Sequence, residues 1–424
     1  MKAVALALLA VLAATAAWAE DSSQAPAAGH MGHQGMSAAP PPCQEPKPQC
    51  AQTAEPFFAK DGRLWLAFSV GSKVYVASSR DNGQTFAPAV TAAEVAGQII
   101  DANGEARPKV VVFHDGALMV SFTSRPEKSY NGAISIVRST DGGKSFSPPQ
   151  PLLDAIGQRF DVFLLSPKGR LYAAWLDKRS AEDAKKSGQE FAGSGVAVGW
   201  SDDGGKSFAG KKILFEHSCE CCRVAAAFDQ DGAPVFAWRN VYDGNLRDHY
   251  VAKLSADGAT LSGGRVSEDN WATGCPHHGP SLSIDSEGAW HVAWFTNGKT
   301  RKGLFYAKSV DGGKSFSEPM KFGDDAKAPA HAAVLAVKRK IFRVWKEFDG
   351  ATTSVLAQAS TDGGKQWSEA RVIASTTGAS DHPLLVEHRG AAFLSWLTHG
   401  EGYRLLPLPA PAPEAKSTSA AEAR

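Results

Sequence analysis

A short turn motif recurs along this chain, and it constrains the fold more than any other feature. Five segments follow the pattern Ser-x-Asp-x-Gly-x-x-aromatic, at residues 79–86, 139–146, 201–208, 309–316 and 360–367. A weaker copy reads Ser255-Ala-Asp257-Gly258. The motif aspartates lie 51 to 62 residues apart. Periods near 50 residues with short strands between them indicate a propeller or a similar radial β repeat.

The residue types in the motif point to a structural role. An aspartate carboxylate and a serine hydroxyl can both accept backbone N–H groups within a tight turn. Glycine allows a positive φ angle, and the aromatic ring can pack beneath the sheet. Calcium binding is the alternative, but an EF-hand needs more acidic positions and flanking helices. We therefore interpret the motif as a turn that holds two strands together.

These segments resemble the Asp boxes, or BNR repeats, of the sialidase superfamily. The resemblance covers residues from about 55 to 408 and implies an all-β propeller of four-stranded antiparallel blades. It does not imply sialidase activity, because Asp boxes lie away from the active face in that superfamily. The chain contains other units besides the motif itself, and these decide the expected number of blades.

Each unit reads as strand, glycine turn, strand with an aromatic, strand, Asp box, strand. The expected second-strand aromatics are Phe68, Phe122, Trp175, Trp238, Trp294, Trp345 and Trp396. They predict a seven-bladed propeller whose last unit, 382–408, lacks an Asp box. A six-bladed sialidase-type propeller is the alternative, although it leaves one unit unexplained.

Counting back from these aromatics locates the start of each first strand, which in a propeller points at the central channel. The residues found there are Ala54 or Glu55, then Arg107, Arg159, Cys222, His278, His331 and His382. Four consecutive units thus offer one cysteine and three histidines to one axial position. Further candidate ligands precede them, namely His217, Cys219, Cys221, Cys275 and His277.

Imidazole and thiolate ligands favour copper or zinc over magnesium or calcium, and thiolate favours Cu(I). Three or four donors from neighbouring strands would suffice for one ion. An N-terminal segment carries His30, Met31, His33 and Met36, which adds thioether and imidazole donors. We expect a transition metal, copper more than zinc.

Disulfides are the competing interpretation of the cysteines, and they carry equal weight at this stage. In an oxidising compartment, six cysteines suggest up to three bridges. Cys43 and Cys50 bracket a proline-rich stretch, and Cys275 could bond to Cys221 or Cys222. If all the cysteines were bridged and the histidines structural, no metal would be bound.

The family resemblance implies a second functional hypothesis, an exo-sialidase or related glycoside hydrolase. Sialidases hold a sugar carboxylate with three arginines, and they use a tyrosine nucleophile and an aspartate as acid/base. The candidates here are Arg107, Arg179 and Arg239 for the arginines, Asp177 for the acid, and Tyr242 or Tyr250. No Arg-Ile-Pro segment lies near the first unit, and no tyrosine–glutamate pair stands out. Any enzymatic activity would be of this type.

The chain start predicts export. Lys2, an apolar run over residues 3–17 and the sequence Ala17-Trp18-Ala19 are typical of a secretory signal peptide covering 1–19. We expect a periplasmic or secreted protein without a membrane span. Residues 20–54 and 409–424 are rich in Pro, Ala and Ser and predict disordered tails around a folded body at 55–408.

Composition excludes one large class of partner. The chain has 45 basic and 44 acidic side chains, for a net charge of +1, so it lacks the excess of positive charge expected of a nucleic-acid-binding protein. The leading hypothesis is therefore a sialidase-like propeller, most simply a monomer, that binds a transition metal. Its role would be metal handling or a metal-dependent activity. A non-catalytic scaffold for a periplasmic protein partner is the third hypothesis.

Overall fold

The computed structural model of the protein describes residues 45–409. The expected signal peptide, the His/Met segment, Cys43 and most of the two tails lie outside these residues. Within them the chain is all-β, and its strands pair antiparallel in six sheets. The described part contains no helix long and apolar enough to cross a membrane.

The first half of the chain supplies three sheets. The first contains four strands, β1 (Ala54–Phe58), β2 (Leu64–Val70), β3 (Lys73–Ser79) and β4 (Val90–Glu94). The second contains five, β5 (Ile99–Ile100), β6 (Lys109–Val112), β7 (Leu118–Arg125), β8 (Ala133–Ser139) and β9 (Gln150–Pro151). The third contains eight, β10 (Gln158–Leu165), β11 (Leu171–Asp177), β12 (Ser194–Ser201), β13 (Ala209–Ser218), β14 (Ala225–Phe228), β15 (Pro234–Tyr242), β16 (Leu246–Leu254) and β17 (Thr260–Arg265).

The second half supplies three smaller sheets. The fourth contains β18 (Ser281–Ile284), β19 (Trp290–Asn297), β20 (Lys302–Ser309) and β21 (Met320–Phe322). The fifth contains β22 (Ala330–Val337), β23 (Lys340–Phe348), β24 (Thr353–Ser360) and β25 (Arg371–Thr376). The sixth has only β26 (Leu384–His388), β27 (Ala391–Thr398) and β28 (Gly402–Pro407).

Helical structure in the described residues is confined to short connections. One helix, α1 (Arg179–Lys186), connects β11 to β12. Single 3-10 turns lie at Pro48–Cys50, Asp243–Asn245 and Asp325–Lys327.

The sheets depart from a uniform set of four strands for local reasons. The eight-stranded sheet consists of two four-stranded runs that meet where Ser218, at the end of β13, pairs with Asn240 of β15. In the second sheet β5 is an additional strand, because residues Ile99 and Ile100 pair with the end of β7. The sixth sheet has three strands. The all-β antiparallel architecture is confirmed, whereas a strict four-strand pattern is wrong.

The aromatics that define the repeat lie where the sequence predicts. Each lies on the second strand of its repeat and is at most 1% exposed: Phe68, Phe122, Trp175, Trp238, Trp294, Trp345 and Trp396. Each large ring buries apolar surface between neighbouring sheets, which stabilises the folded state by roughly 25 cal/mol per Å² of buried surface. The repeated aromatics therefore stabilise the packing of each sheet against the next.

Most first strands of the repeats contact the first strand of the next repeat. Contacts join β1 to β6, β10 to β14, β14 to β18, β18 to β22, β22 to β26, and β26 back to β1, whereas β10 contacts β7 and β8 of the second sheet. A cavity of about 270 Å³ lies between β14, β18, β22 and β26, and Ala225, Leu282, Val334 and Leu384 line it. Arg223 lines the same cavity. We call the side on which the first strands begin the axial face.

The Asp boxes connect third to fourth strands and are held by their own side chains. In the third copy, the Ser201 hydroxyl accepts the Gly205 N–H at 2.8 Å and donates to Asp203 at 2.8 Å. The Asp203 carboxylate accepts the N–H groups of Lys206 and Ser207, both at 3.0 Å. The same bonds recur around Asp141 and Asp311. The structural interpretation of the motif agrees with this geometry.

The buried serine of an Asp box should matter for stability. Ser201 is 1% exposed, and replacing it with alanine leaves the buried Gly205 N–H without an acceptor. We expect Ser201→Ala to lower the free energy of unfolding by about 1–3 kcal/mol. The control is Ser255→Ala in the weak copy, where the exposed Ala259 N–H can bond to water instead. Denaturant melts that show equal losses for both variants would contradict this account.

The Asp boxes also predict acid sensitivity. Hydrogen bonds from the box serine or threonine and from backbone N–H groups lower the pKa of Asp81, and of Asp311, to about 2. A carboxyl whose pKa is lowered by folding stabilises the folded state above its unfolded pKa near 3.8, and this contribution is lost as the pH falls toward 2. Thermal midpoints should therefore drop between about pH 4 and 2, and less steeply in Asp311→Asn. A midpoint that stays constant over this interval would exclude the mechanism.

Candidate metal centre

Three histidines from successive sheets meet at the axial face. His278 lies just before β18, His331 is the second residue of β22, and His382 lies just before β26. The rings of His278 and His331 stack with centroids 4.3 Å apart, and those of His331 and His382 with centroids 3.4 Å apart. His278 and His331 are each 7% exposed. The structure thus brings the three expected imidazoles together.

A β-bulge sets the position of His331. The register between β22 and β23 shifts between Ala330 and Ala333, and His331 within this bulge has a φ of 53°. A left-handed backbone costs a residue other than glycine roughly 1–3 kcal/mol, so it persists only where the surroundings impose it. The bulge directs the His331 ring between the rings of His278 and His382.

A buried glutamate completes the group and was missed by the sequence analysis. Glu105 lies in the loop between β5 and β6, and its Oε1 is 3.3 Å from Nδ1 of His382. Its carboxylate accepts the N–H of Arg223 at 2.8 Å, the N–H of Gly279 at 2.9 Å and the Arg223 guanidinium at 2.7 Å. Glu105 therefore connects the loops that precede four different first strands. Donor atoms of Glu105, His331 and His382 all lie within 4.8 Å of one another.

The charge states in this group suit ligation. Burial alone would raise the pKa of Glu105, but the Arg223 guanidinium, His382 and the Arg223 N–H together hold it well below its usual range. Burial lowers the pKa of His382 to about 4, although Glu105 opposes the shift. Burial also holds the pKa of His278 and of His331 well below the usual value. At neutral pH the group therefore presents one carboxylate and three neutral imidazoles, the protonation states that bind metals.

Three buried ring nitrogens of the group have no hydrogen-bond partner among the described residues, namely Nδ1 of His278, of His331 and of His382. The last of these lies 3.3 Å from Oε1 of Glu105 without the geometry of a hydrogen bond. A buried polar atom without a partner costs about 1–3 kcal/mol, so native structures normally pair such atoms. These nitrogens are the donors that a bound cation would use.

At two glycines the backbone lies very close to the candidate ligands. A Cβ added to Gly104 would lie 2.2 Å from two atoms of the His382 ring. A Cβ at Gly279 would lie 2.7 Å from Oε2 of Glu105 and 2.5 Å from Cγ of Arg223. Only glycine fits at either position without displacing a candidate ligand.

The fourth expected axial ligand, Cys222, lies in a different group. Its sulfur is 3.6 Å from that of Cys219, and the Cys221 sulfur is 3.6 Å from Cys219 and 4.0 Å from Cys222. We call Cys219, Cys221 and Cys222 the thiol group. The residue that reaches Glu105 is the following one, Arg223. The thiol group and the Glu105–His331–His382 group share no residue.

The remaining predicted ligands are placed as follows. Cys219, Cys221, Cys222 and Cys275 are free thiols, so neither of the expected bonds to Cys275 is formed. Exposed Cys275 donates to Glu220 at 3.6 Å. His217 is exposed and contacts the Ala192 carbonyl at 3.1 Å. His277 has a left-handed backbone with a φ of 52°, directly before His278.

The three arginines proposed for a glycosidase already bind acceptors of the chain itself. Arg107 forms a buried, bidentate pair with Asp381, at 2.9 and 2.8 Å. Arg239 is 1% exposed and donates to the carbonyls of Arg247, His278 and Phe295. Arg179 donates to Asp177 and to the Lys211 carbonyl. The Arg107 and Arg239 guanidinium groups support the loops around the histidines.

The proposed acid and nucleophile are similarly enclosed. Asp177 is fully buried and accepts the indole N–H of Trp175 at 2.9 Å as well as Arg179 at 3.0 Å. Tyr242 has a buried hydroxyl without a hydrogen-bond partner among residues 45–409, burial raises its pKa, and the Arg265 guanidinium lies 4.3 Å from its ring centroid. The Asp177 carboxylate and the Tyr242 hydroxyl are thus both withdrawn from solvent.

One further cation at the axial face was not anticipated. Lys346 of β23 lies close to the carbonyls of Ser380 and Asp381, with Nζ distances of 3.3 and 3.4 Å. Burial is the main cause that lowers its pKa, Asp381 opposes the shift and Arg107 adds to it, and together they bring the pKa to about 8. A lysine that follows a second-strand tryptophan gives no sequence signal for this role. The corresponding signal for Glu105 is its position two residues before the expected strand start at Arg107.

Comparison with known proteins gives structural neighbours only. No protein-family model matches the chain, and no curated protein matches it. Among solved structures, a protein of unknown function from Dyadobacter fermentans is 17% identical, with a TM-score of 0.47 over 74% of this chain and 97% of that one. A Hadza microbial sialidase is 15% identical, with a TM-score of 0.47 over 82% and 73%. A Penicillium chrysogenum α-L-arabinanase is 11% identical, with a TM-score of 0.44 over 87% and 95%. The structural neighbours therefore include sialidases, as the resemblance in the sequence implied.

The Glu105–Arg223 pair should be the main electrostatic support of the axial face. Glu105→Ala leaves the largely buried Arg223 guanidinium and the Gly279 N–H without their acceptor. Breaking such a buried pair typically costs about 3–5 kcal/mol. The matched control is Glu94→Ala, which removes an exposed pair with Lys73 and should cost about 0–1 kcal/mol. Equal unfolding free energies for the two variants, measured without metal, would contradict this assignment.

Proposed function

We propose that this protein binds a transition metal, with copper favoured, at the axial face of a sialidase-like propeller, and that it serves metal handling. The observation that carries the proposal is the convergence of His278, His331 and His382 on Glu105. These side chains come from four loops that are far apart in the sequence, and a purely structural histidine rarely has two others beside it.

The donor atoms fit one ion in number and spacing. Nitrogen and oxygen ligands bind such metals at about 2.0–2.2 Å, so two ligands of one ion lie no more than roughly 4.4 Å apart. The donors of Glu105, His331 and His382 fall within 4.8 Å of one another. Because the rings of His331 and His382 stack face to face, ligation requires them to rotate until their nitrogens point at one ion. His278 stacks on His331 and is available as a further nitrogen donor.

Imidazole and carboxylate together suit copper, zinc or iron, so these ligands do not by themselves distinguish among the three metals. Copper is favoured by the thiols nearby and by the methionines and histidines of the segment 30–36. Zinc is the main competitor. An exported protein, as the sequence predicts, would encounter both metals outside the cytoplasm.

We also infer seven blades. The first strands contact in sequence from β10 through β14, β18, β22 and β26 to β1 and β6, and β10 lies against β7 and β8 of the second sheet. The eight-stranded sheet counts as two blades because a single residue pair joins its halves. In this arrangement three successive blades place a histidine at the same position, which explains why the three rings stack.

The experiment compares metal content and coordination in matched variants. Untagged protein is loaded with Cu(II) or Zn(II), desalted and measured by elemental analysis, and the copper form by electron paramagnetic resonance. We expect one nitrogen-coordinated equivalent in the wild type and loss of that signal in the double variant His331→Ala/His382→Ala, because both ligands are removed. Far-UV circular dichroism checks that the variant is folded.

The control is His114→Ala, which removes an exposed imidazole in the turn between β6 and β7. It should leave metal content and spectrum unchanged. A folded double variant that retains the nitrogen signal would refute the proposed site. A higher content of zinc than of copper under equal supply would correct the metal while keeping the site.

A further inference from the structure

The thiol group lies in a tight turn between β13 and β14, and its three sulfurs are withdrawn from water. Cys219, Cys221 and Cys222 are between 1% and 3% exposed. The turn is anchored where the Cys219 N–H donates to the Arg239 carbonyl of β15 at 2.8 Å. Three buried thiols within one turn are poor hydrogen-bond formers and gain little from packing against one another alone.

The sulfur separations match those of a metal thiolate. Sulfur binds zinc at about 2.3 Å, and at tetrahedral to trigonal angles this places two sulfurs of one ion roughly 3.8–4.0 Å apart. The observed separations are 3.6, 3.6 and 4.0 Å. A disulfide would need about 2.05 Å, so the three thiols are spaced for a shared ion more closely than for a bridge.

Positive charge surrounds the sulfurs. The Arg247 guanidinium donates to the Cys219 sulfur at 3.2 Å and to Glu220 at 3.1 Å. The buried Arg239 guanidinium donates to the Arg247 carbonyl at 2.9 Å. The Arg247 guanidinium thus stabilises negative charge on the buried Cys219 sulfur, where a thiolate would otherwise have a large desolvation cost.

One side of the group is bordered by an exposed residue. Cys275 is exposed and donates to Glu220, the residue between Cys219 and Cys221, at 3.6 Å. A soft thiol and a carboxylate therefore stand at the exposed edge of three buried sulfurs.

We propose that the thiol group is a separate site for Cu(I), held by three thiolates, and that Cys275 with Glu220 forms its point of access. Thiolates are soft ligands and prefer Cu(I), whereas the imidazoles and carboxylate of the histidine group are harder donors. Three thiolates with one Cu(I) carry two negative charges, and Arg247, which also pairs with Glu220, donates directly to one of the sulfurs. The site does not depend on the function proposed for the histidine group, because the two share no ligand.

The test is an anaerobic titration with Cu(I) against a chromophoric Cu(I) chelator, followed by the ultraviolet absorption of copper–thiolate bonds. We expect the wild type to bind Cu(I) with that absorption. Cys221→Ser should lower the affinity by more than the ~10–100-fold that loss of an outer partner costs, because a direct ligand is lost. A folded Cys221→Ser variant with unchanged affinity would overturn the proposal.

Two controls separate this site from its neighbours. His331→Ala/His382→Ala should retain Cu(I) binding at the thiol group. An error in the proposed histidine site and an error in the proposed thiol site would therefore give different results. Cys275→Ser should retain the equilibrium affinity and slow the uptake of Cu(I) from the chelator. A Cys275→Ser variant as weak as Cys221→Ser would replace the three-thiolate site by a four-thiolate one. Preferential binding of Zn(II) by His331→Ala/His382→Ala, which lacks the histidine site, would overturn the assignment of Cu(I) to the thiol group.

Discussion

One buried carboxylate connects the loops at the axial face. Glu105 accepts hydrogen bonds from the chain before β14 and before β18, and it contacts the histidine before β26. These contacts cross the centre of the ring, where the first strands begin. Because the carboxylate and the Arg223 guanidinium are buried together, removing either one leaves the other as a buried charge without a partner. The positions of the three imidazoles depend on this crossing.

Much of this arrangement could be predicted from the sequence, because the repeat makes equivalent positions countable. The Asp boxes and the second-strand aromatics give the register, and counting back from Trp294, Trp345 and Trp396 reached His278, His331 and His382. Each of these lies within three residues of the first residue of its strand. The number of residues from the start of the first strand to the second-strand aromatic is set by the lengths of the strand and the turn, so it can be counted in each repeat.

The same counting could not give the partners of the histidines. At the fourth repeat it reached Cys222, whereas the side chain that crosses to Glu105 is that of Arg223. Adjacent side chains of an extended segment lie on opposite faces, so an error of one residue in the count selects the wrong side chain. Glu105 itself lies in a loop, where a carboxylate gives no periodic signal. The bulge at His331 is equally invisible, since Ala330-His331-Ala332 contains no glycine to mark it.

The three-stranded sixth sheet has a consequence for how the ring is sealed. The 3-10 turn Pro48–Cys50 packs against β28, and a Cβ on Gly402 would meet the Gln49 side chain at 2.8 Å. These residues precede β1, so the segment just before the first strand covers part of the last sheet. A chain shortened to begin at β1 would expose the part of β28 that the Gln49 side chain covers. The packing of the last strand thus depends on a few residues that precede the first one.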